Sequence, residues 1–213
     1  MTVLRVYGDI ESGNCYKVKL LLALLGREHD WIGIDTLAGD TRTPAYLSKN
    51  PNGKIPLLEL EDGRLLSESN AILNFLANGS DYLPVDPYQR AKVLQWQFFE
   101  QYSHEPYIAV ARFIAKYQGL PDERRAEYEL KQDGGHKALR VLEETLARSP
   151  YLAGGRYTIA DISLYAYTHV AHEGGFDLGS YPALIAWIER IASHPRHVTI
   201  EQFLVDEDQG QQQ

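Results

Sequence analysis

Short apolar runs and helix-like patterns alternate over the first 80 residues of the chain. The run LRVYG, residues 4–8, is apolar with a β-branched valine and predicts a strand. Beyond Cys15 the apolar side chains from Val18 to Leu25 recur at i, i+3, i+4 and i+7, the spacing of one helix face, and Gly26 marks the end of that helix. A second strand is predicted over DWIGID, residues 30–35.

The clearest local signal is a hairpin within IPLLELEDGRLLSE, residues 55–68. Two apolar runs flank Asp62-Gly63, a pair suited to a type I′ turn, in which both central residues take positive φ. We predict a short helix around residues 45–48 before the hairpin, and after it a helix that ends at Asn78-Gly79. The order β-α-β-(α)-β-β-α predicts a parallel unit joined to a hairpin.

Residues 81–88 contain two prolines and are predicted to be a linker, and the pattern beyond them is helical throughout. A long helix should run from about Ala91 to Tyr117 with a bend at Pro106. A second, over residues 123–148, should break at Gly134-Gly135, because each glycine costs about 1 kcal/mol relative to alanine in a helix. Further helices are predicted over 159–172 and 183–193. An α/β domain, residues 1–80, therefore precedes an all-α domain, residues 89–205, and the polar tail, residues 206–213, is expected to be disordered.

Composition narrows the class of protein. No stretch approaches the roughly 20 apolar residues that span a bilayer, and a strand pattern follows Met1 where a signal peptide would have its charged and apolar regions. The single cysteine excludes an intrachain disulfide and a thiolate metal cluster, and it fits a reducing cytoplasm. The net charge of -8 argues against nucleic acid or an anionic membrane as the main partner. We expect a cytoplasmic protein without a metal.

Ile55-Pro56 stands at the start of the hairpin. Since proline cannot donate to a strand ladder, it can simply begin an edge strand with an ordinary trans bond. The alternative is a cis bond that turns the N–H and C=O of Ile55 outward, where an extended peptide ligand could pair with them.

Ser67, Glu68 and Ser69 stand where the hairpin gives way to a helix. They can act as a cap and a first-turn acid, which would only stabilise the helix. Alternatively, the helix N-terminus holds a ligand carboxylate while Glu68 binds a ligand ammonium, the two charges of an α-amino acid end group.

The junction SGNC, residues 12–15, offers the same choice at the first helix. Ser12 or Asn14 can cap that helix, a contribution of about 1 kcal/mol. Alternatively, they hydrogen-bond a ligand thiolate. Lowering a thiol pKa by about 2 units needs roughly 2.7 kcal/mol, and a hydroxyl bond to an anion supplies about 1.5–3 kcal/mol with about 0.3–1 kcal/mol from the helix end. Cys15 could itself be a redox thiol, although no second cysteine accompanies it.

Thr158 and Asp161, three residues apart before an apolar run, predict a capping box. We interpret this pair as structural.

Together these pieces resemble the soluble glutathione transferase superfamily over essentially the whole chain to about residue 200. The segments that carry the resemblance are SGNCYKVKLLLALLG, NPNGKIPLLELEDGRLLSESNAI and YLAGGRYTIADISLYAY, in this order and spacing. The resemblance implies a thioredoxin-like N-terminal domain, an all-helical C-terminal domain and a homodimer. Within the superfamily, the chain looks like a bacterial member.

Carried over by residue, the resemblance makes Ile55-Pro56 the cis-proline pair whose first member binds the cysteinyl backbone of glutathione. Glu68 and Ser69 match the pair that binds the γ-glutamyl end. Lys54 or Arg42 could reach the glycine carboxylate.

For thiol activation, Ser12 aligns with the catalytic serine of serine-type members and Asn14 with the cysteine of cysteine-type members, with Cys15 one residue beyond. Tyr7 lies near the activating tyrosine of tyrosine-type members but within the strand pattern. We predict Ser12 as the activating residue, with Asn14 as a helper or substitute.

The resemblance puts the acceptor substrate between the domains, against the first long helix. There Tyr102, His104, Tyr107 and Arg112 could line an acceptor pocket, or instead pack the helices or a dimer interface. The expected function is conjugation of the glutathione thiolate to small hydrophobic electrophiles, in detoxification, with glutathione as co-substrate. The alternatives are a glutathione-dependent disulfide reductase or peroxidase and a non-catalytic binding protein.

Overall fold

The computed structural model describes residues 3–200, and its N-terminal part is built on a four-stranded sheet. The strands are β1 (Leu4–Gly8), β2 (His29–Gly33), β3 (Leu57–Glu59) and β4 (Leu65–Ser67), in the order β2-β1-β3-β4. β1 is parallel to β2 and antiparallel to β3, which is antiparallel to β4. The predicted parallel unit joined to a hairpin is confirmed.

The helices of this part are α1 (Gly13–Leu25), α2 (Pro44–Lys49) and α3 (Ser69–Leu76). Leu4 and Val6 alternate with the exposed Arg5 along β1, so the buried face of the strand belongs to the same apolar core as α1. α1 ends at Gly26, which takes φ 64 and accepts the left-handed conformation that its C-cap needs.

The hairpin between β3 and β4 is confirmed, but its predicted turn type is wrong. Leu58 pairs with Leu66, and the backbone N–H of Leu60 donates to the carbonyl of Arg64. Of the turn residues, Gly63 takes positive φ and Asp62 does not. The connection is therefore a three-residue loop with a left-handed glycine, which needs only one residue at positive φ where a type I′ turn needs two.

The helical part contains α4 (Pro87–Phe99), α5 (Glu105–Arg112), α6 (Arg125–Leu146), α7 (Ile159–Thr168) and α8 (Pro182–Ala192). A π-helical segment, Glu100–His104, joins α4 to α5 directly before Pro106, where the sequence predicts a bend. A second π-helical segment, Phe113–Tyr117, extends α5.

The predicted break at Gly134-Gly135 is wrong, because α6 runs through both glycines without interruption. A Cβ at Gly134 would lie 2.1 Å from the ring of Tyr107, and a Cβ at Gly135 would lie 2.2 Å from the ring of Phe176. The missing side chains let two aromatic rings pack against the helix backbone. This packing offsets the low helix propensity of glycine.

The capping box at the start of α7 is confirmed. Thr158 accepts from Ala160, and Asp161 accepts from the backbone N–H groups of Thr158 and Leu152 and from Trp187 Nε1. Burial raises the pKa of Asp161 to about 6 against the opposing effect of these donors.

Residues 3–200 divide into two compact units, one formed by residues 3–78 together with 195–200, and the other by Gly79–His194. Residues 195–200 therefore belong to the sheet-containing unit, although the sequence analysis assigns them to the helical domain. Tyr16 donates to the carbonyl of Val198, and Arg196 donates to the carbonyl of Leu24. No helix among residues 3–200 is long and apolar enough to cross a membrane. The predicted disordered tail lies outside the described residues.

Candidate functional site

The sheet brings three sequence-predicted segments to one end. Tyr7 of β1 pairs with Leu57 of β3, and Leu57 pairs with Ser67 of β4. The last residues of β1, the first of β3 and the last of β4 therefore lie side by side. Continuing each strand from this end leads to the SGNC junction, to Ile55-Pro56 and to Glu68-Ser69.

Ser12 is the N-cap residue of α1, but its side chain makes no capping hydrogen bond. Its backbone has extended φ and ψ of -71 and 121, and its carbonyl accepts from Tyr16 N. The hydroxyl instead acts to lower the pKa of the Cys15 thiol, an effect that burial of the thiol outweighs. A hydroxyl lowers a thiol pKa by donating toward the sulfur, and the same donation would stabilise a ligand thiolate.

Asn14, Lys17 and Ser69 form a hydrogen-bonded triangle that joins α1 to α3. Lys17 Nζ donates to Asn14 Oδ1 at 2.8 Å and to Ser69 Oγ at 3.3 Å, and Ser69 Oγ donates to Asn14 Oδ1 at 3.3 Å. Lys17 has no exposed surface. The triangle places the N-termini of the two helices together, so two positive helix ends face the same region.

Sequence reasoning missed Lys17. The signal was available, since Lys17 stands within a helix whose neighbouring positions are almost all apolar, and it lies three residues beyond Asn14. A lysine at such a position is buried only when partners satisfy its ammonium group. The identity of those partners depends on α3, which is 52 residues away along the chain.

The Ile55–Pro56 peptide bond is cis, as the resemblance predicts. The β3 ladder begins at Leu57 on both sides, so Ile55 lies beyond the paired part of the sheet. The carbonyl of Lys54 is held by Tyr46 Oη at 2.8 Å and Asn50 Nδ2 at 2.7 Å, which fixes the backbone that leads into Ile55.

The side chains of Lys54 and Arg42 are exposed. Arg42 lies against Gly53, where a Cβ would come within 2.8 Å of its guanidinium. Gly53 has φ 61 and no side chain, so both the turn and this close approach require glycine. Arg42 thus lies against the turn that precedes Ile55, and Lys54 follows that turn directly in the chain.

Glu68 takes φ 70 and ψ 112, a conformation that residues other than glycine rarely adopt. It precedes Ser69, the first residue of α3, and its side chain is exposed and makes no capping bond. Such strain costs about 1–3 kcal/mol and is concentrated at ligand-binding positions. The sequence could identify Glu68 as a candidate but could not reveal its backbone.

Two alternative activating residues are engaged elsewhere in this unit. Cys15 is fully buried, and burial raises the pKa of its thiol to about 12, the environment of an inert structural cysteine. Tyr7 Oη donates to Glu59 Oε2 at 2.6 Å, and Lys49 Nζ donates to the same carboxylate oxygen at 2.9 Å. Lys49 and Tyr7 hold the pKa of Glu59 below its ordinary value. Ser12 and Asn14 remain the candidates.

The four predicted acceptor residues differ in their burial and in their partners within the helical unit. His104 is fully buried, with Nε2 2.9 Å from Thr168 Oγ1, and Arg112 is 2% exposed and paired with Glu173. Tyr107 packs on Gly134, and Tyr102 is 85% exposed. Burial and committed partners favour helix packing for His104 and Arg112, which sequence reasoning left as an alternative.

Comparisons with known proteins agree with this architecture. Residues 11–78 match the model of the glutathione S-transferase N-terminal domain, and residues 96–195 match that of the C-terminal domain. A glutathione S-transferase structure from Pseudomonas fluorescens [Pf-5] is similar, with a TM-score of 0.92 and 65% identity over 93% of this chain and 98% of that one.

Two curated relatives carry different activities in their names. A maleylacetoacetate isomerase of Rhizobium meliloti is 31% identical, with 88% of this chain and 90% of the relative covered. The disulfide-bond oxidoreductase YfcG of Escherichia coli is also 31% identical, with 85% and 87% covered. The thioredoxin-like sheet, the helical unit and both domain matches lead to one conclusion: this chain belongs to the glutathione S-transferase family.

Proposed function

We propose that this protein is a glutathione transferase that ionises glutathione at the N-terminus of α1 and conjugates it to small hydrophobic electrophiles. The observation that carries the proposal is the junction of α1 with α3, where the Ser12 hydroxyl, which does not cap its helix, lies beside the Asn14–Lys17–Ser69 triangle. A side chain kept only as a cap would bond the helix backbone, and that of Ser12 does not.

Each part of glutathione has a candidate partner in this unit. Glu68 would bind the α-ammonium group. The α-carboxylate would take backbone N–H groups at the start of α3, because the Ser69 hydroxyl already donates to Asn14. The backbone of Ile55 would pair with the cysteinyl residue. Lys54 or Arg42 would bind the glycine carboxylate.

The thiol would then lie at the positive end of α1. A hydroxyl bond from Ser12 to the thiolate is worth about 1.5–3 kcal/mol, and the helix end adds about 0.3–1 kcal/mol. Together they match the roughly 2.7 kcal/mol that lowers a thiol pKa by about 2 units. Asn14 would supply a further N–H donor.

Conjugation is a nucleophilic attack by the thiolate sulfur. A carbon–sulfur bond forms, and in a substitution the leaving group departs with its electron pair. In an addition to an enone, the carbon next to the carbonyl then takes a proton from water. The protein contributes orientation and stabilisation of the anion.

The test is an ultraviolet difference titration of the glutathione complex, which follows the thiolate absorption from acidic to alkaline pH. We expect the bound thiol to ionise at least one unit below the value of about 8.5 for a free thiol. S-methylglutathione, which binds through the same groups but has no thiol, is the control. Binding without a lowered thiol pKa would favour a non-catalytic binding protein and would refute the proposal.

A second candidate is a glutathione-dependent disulfide reductase, which is favoured by the oxidoreductase named among the relatives. Cys15 is the single cysteine of the chain, and it is buried, so both reducing electrons would come from glutathione. One thiolate would attack the disulfide and release a substrate thiolate. A second would attack the mixed disulfide, giving oxidised glutathione and the second substrate thiolate.

Parallel assays with chlorodinitrobenzene and with hydroxyethyl disulfide separate the two candidates. Conjugation should be the faster reaction. Reduction of the disulfide at a tenfold higher kcat/KM would make reductase the better assignment. The homodimer and the cytoplasmic location stay predictions, and sedimentation of the purified chain tests the first.

A further inference from the structure

Lys17 is a fully buried cationic side chain on α1. A lysine is rarely buried completely, because the ammonium group loses its hydration unless hydrogen bonds replace it. The helix does not require a lysine there, since apolar residues surround it along α1. The contacts of its ammonium group include hydrogen bonds to Asn14 and Ser69, which an apolar side chain could not make.

We infer that Lys17 is a positioning residue: it fixes the amide of Asn14 so that N–H donors, rather than the carbonyl oxygen, are offered to the bound thiolate. This inference rests on the proposed function. In this role Lys17 determines which end of the Asn14 amide faces the glutathione sulfur, so ionisation of the bound thiol depends on Lys17 as well as on Ser12 and Asn14.

The two ends of the Asn14 amide have opposite hydrogen-bonding character. Oδ1 accepts hydrogen bonds and Nδ2 donates them, whereas an ammonium group has three donors and no acceptor. With Lys17 Nζ 2.8 Å away, Asn14 can turn only Oδ1 toward it. The Nδ2 group then lies on the other side of the amide.

Ser69 holds the Asn14 amide in the same orientation. Its hydroxyl accepts from Lys17 and gives its one proton to Asn14 Oδ1. Oδ1 therefore has two donors, which uses both of its lone pairs. Turning the amide over would break both bonds and set N–H groups against the ammonium, so α1 and α3 together select one orientation.

The chemistry of the ligand decides which end of the Asn14 amide stabilises it. A thiolate only accepts hydrogen bonds, so Nδ2 stabilises it and Oδ1 would repel it. Ionisable groups around the junction include Asp9 and Glu11 before α1, Cys15 on α1, Tyr46 on α2 and Glu68 before α3. The carboxylates among them oppose another negative charge, which makes the orientation of the Asn14 amide decisive.

Two variants of the full chain test the inference by ultraviolet titration with glutathione. Lys17→Met keeps the length of the side chain without the donor, and we expect the pKa of the bound thiol to rise by about 1 unit, which is a tenfold loss of thiolate at pH values well below that pKa. Asn14→Asp keeps the bonds to Lys17 and Ser69 but offers the thiolate only acceptors. It should raise the bound thiol pKa at least as far. Continued protection of Cys15 from alkylation reports that each variant is folded.

The Asn14→Ala background shows whether Lys17 acts through Asn14. There, adding Lys17→Met should move the bound thiol pKa by less than a third of its effect in the wild-type chain. An equal shift in both backgrounds would mean that the ammonium charge acts directly, and it would overturn the positioning role. If the wild-type complex has a lowered thiol pKa and neither Lys17→Met nor Asn14→Asp changes it, the inference about Lys17 is overturned while the proposed function stands. A wild-type complex without a lowered pKa would overturn the proposed function as well.

Discussion

Removal of the Ser12 hydroxyl is the most direct perturbation of the proposed site. In Ser12→Ala the backbone of α1 keeps its geometry, because Ser12 Oγ makes no capping bond that alanine would lose. Within the protein, the substitution removes the hydroxyl that acts to lower the pKa of the buried Cys15 thiol, and burial keeps that thiol protonated in either case. The free energy of unfolding should therefore fall by less than about 0.5 kcal/mol, below the usual cost of about 1 kcal/mol for a lost cap.

The effect on the bound thiol should be much larger. A hydrogen bond from a hydroxyl to an anion is worth about 1.5–3 kcal/mol, which corresponds to a pKa rise of about 1–2 units. At a pH at least one unit below the wild-type bound pKa, the thiolate fraction, and with it kcat, should fall about 10- to 100-fold. The affinity for glutathione should change little, because Ser12 would bind the sulfur alone.

Three measurements on one preparation give a sharp result: the bound-thiol titration, the pH dependence of conjugation and urea denaturation. Ser48→Ala is the matched control, since Ser48 is exposed on α2 and its hydroxyl donates to the carbonyl of Ala45. An unchanged thiol pKa in Ser12→Ala would refute Ser12 as the activating residue. A stability loss above about 1 kcal/mol would show that Ser12 is a cap after all.

Three further outcomes are expected. Gly135→Ala should destabilise the fold by about 1–2 kcal/mol, because the added Cβ would lie 2.2 Å from Phe176 and the overpacking cost of about 1–3 kcal/mol exceeds the gain in helix propensity. Urea denaturation measures the effect, with Lys137→Ala at an exposed position as the control, and equal stability of Gly135→Ala and the wild type would contradict the prediction. Glu68→Gly should stabilise the protein by about 1 kcal/mol, because relief of backbone strain at φ 70 exceeds the added entropy of the unfolded chain. The same variant should bind glutathione more weakly in calorimetry, and a loss of stability or an unchanged affinity would count against the prediction. Cys15 should resist alkylation, because a raised pKa of about 12 leaves roughly one thiolate in ten thousand at pH 8; the urea-unfolded chain is the control, and rapid modification of the native protein would be the contrary result.

Much of the architecture was predictable because its causes are local. The spacing of apolar residues from Val18 to Leu25 defines α1, Gly26 ends it, and Thr158 with Asp161 starts α7. Even so, local reasoning failed where a distant ring intervened. The glycines of α6 predict a break only if nothing packs on them, and Tyr107 and Phe176 do.

For the candidate site as well, some features could be predicted from the sequence and others could not. Sequence and resemblance identified Ser12, Asn14, Ile55-Pro56 and Glu68-Ser69 as the residues to examine. They could not reveal that Ser12 leaves its helix uncapped or that Glu68 takes positive φ, because both depend on how β1, β3 and β4 end together.

The amino-acid sequence by itself determined the order of strands and helices and the residue types at the junction, because propensity, periodicity and capping act over a few neighbouring positions. Tertiary structure alone decided the role of Lys17. Its ammonium had to find acceptors where α1 meets α3, and that meeting brings together residues 52 positions apart in the chain.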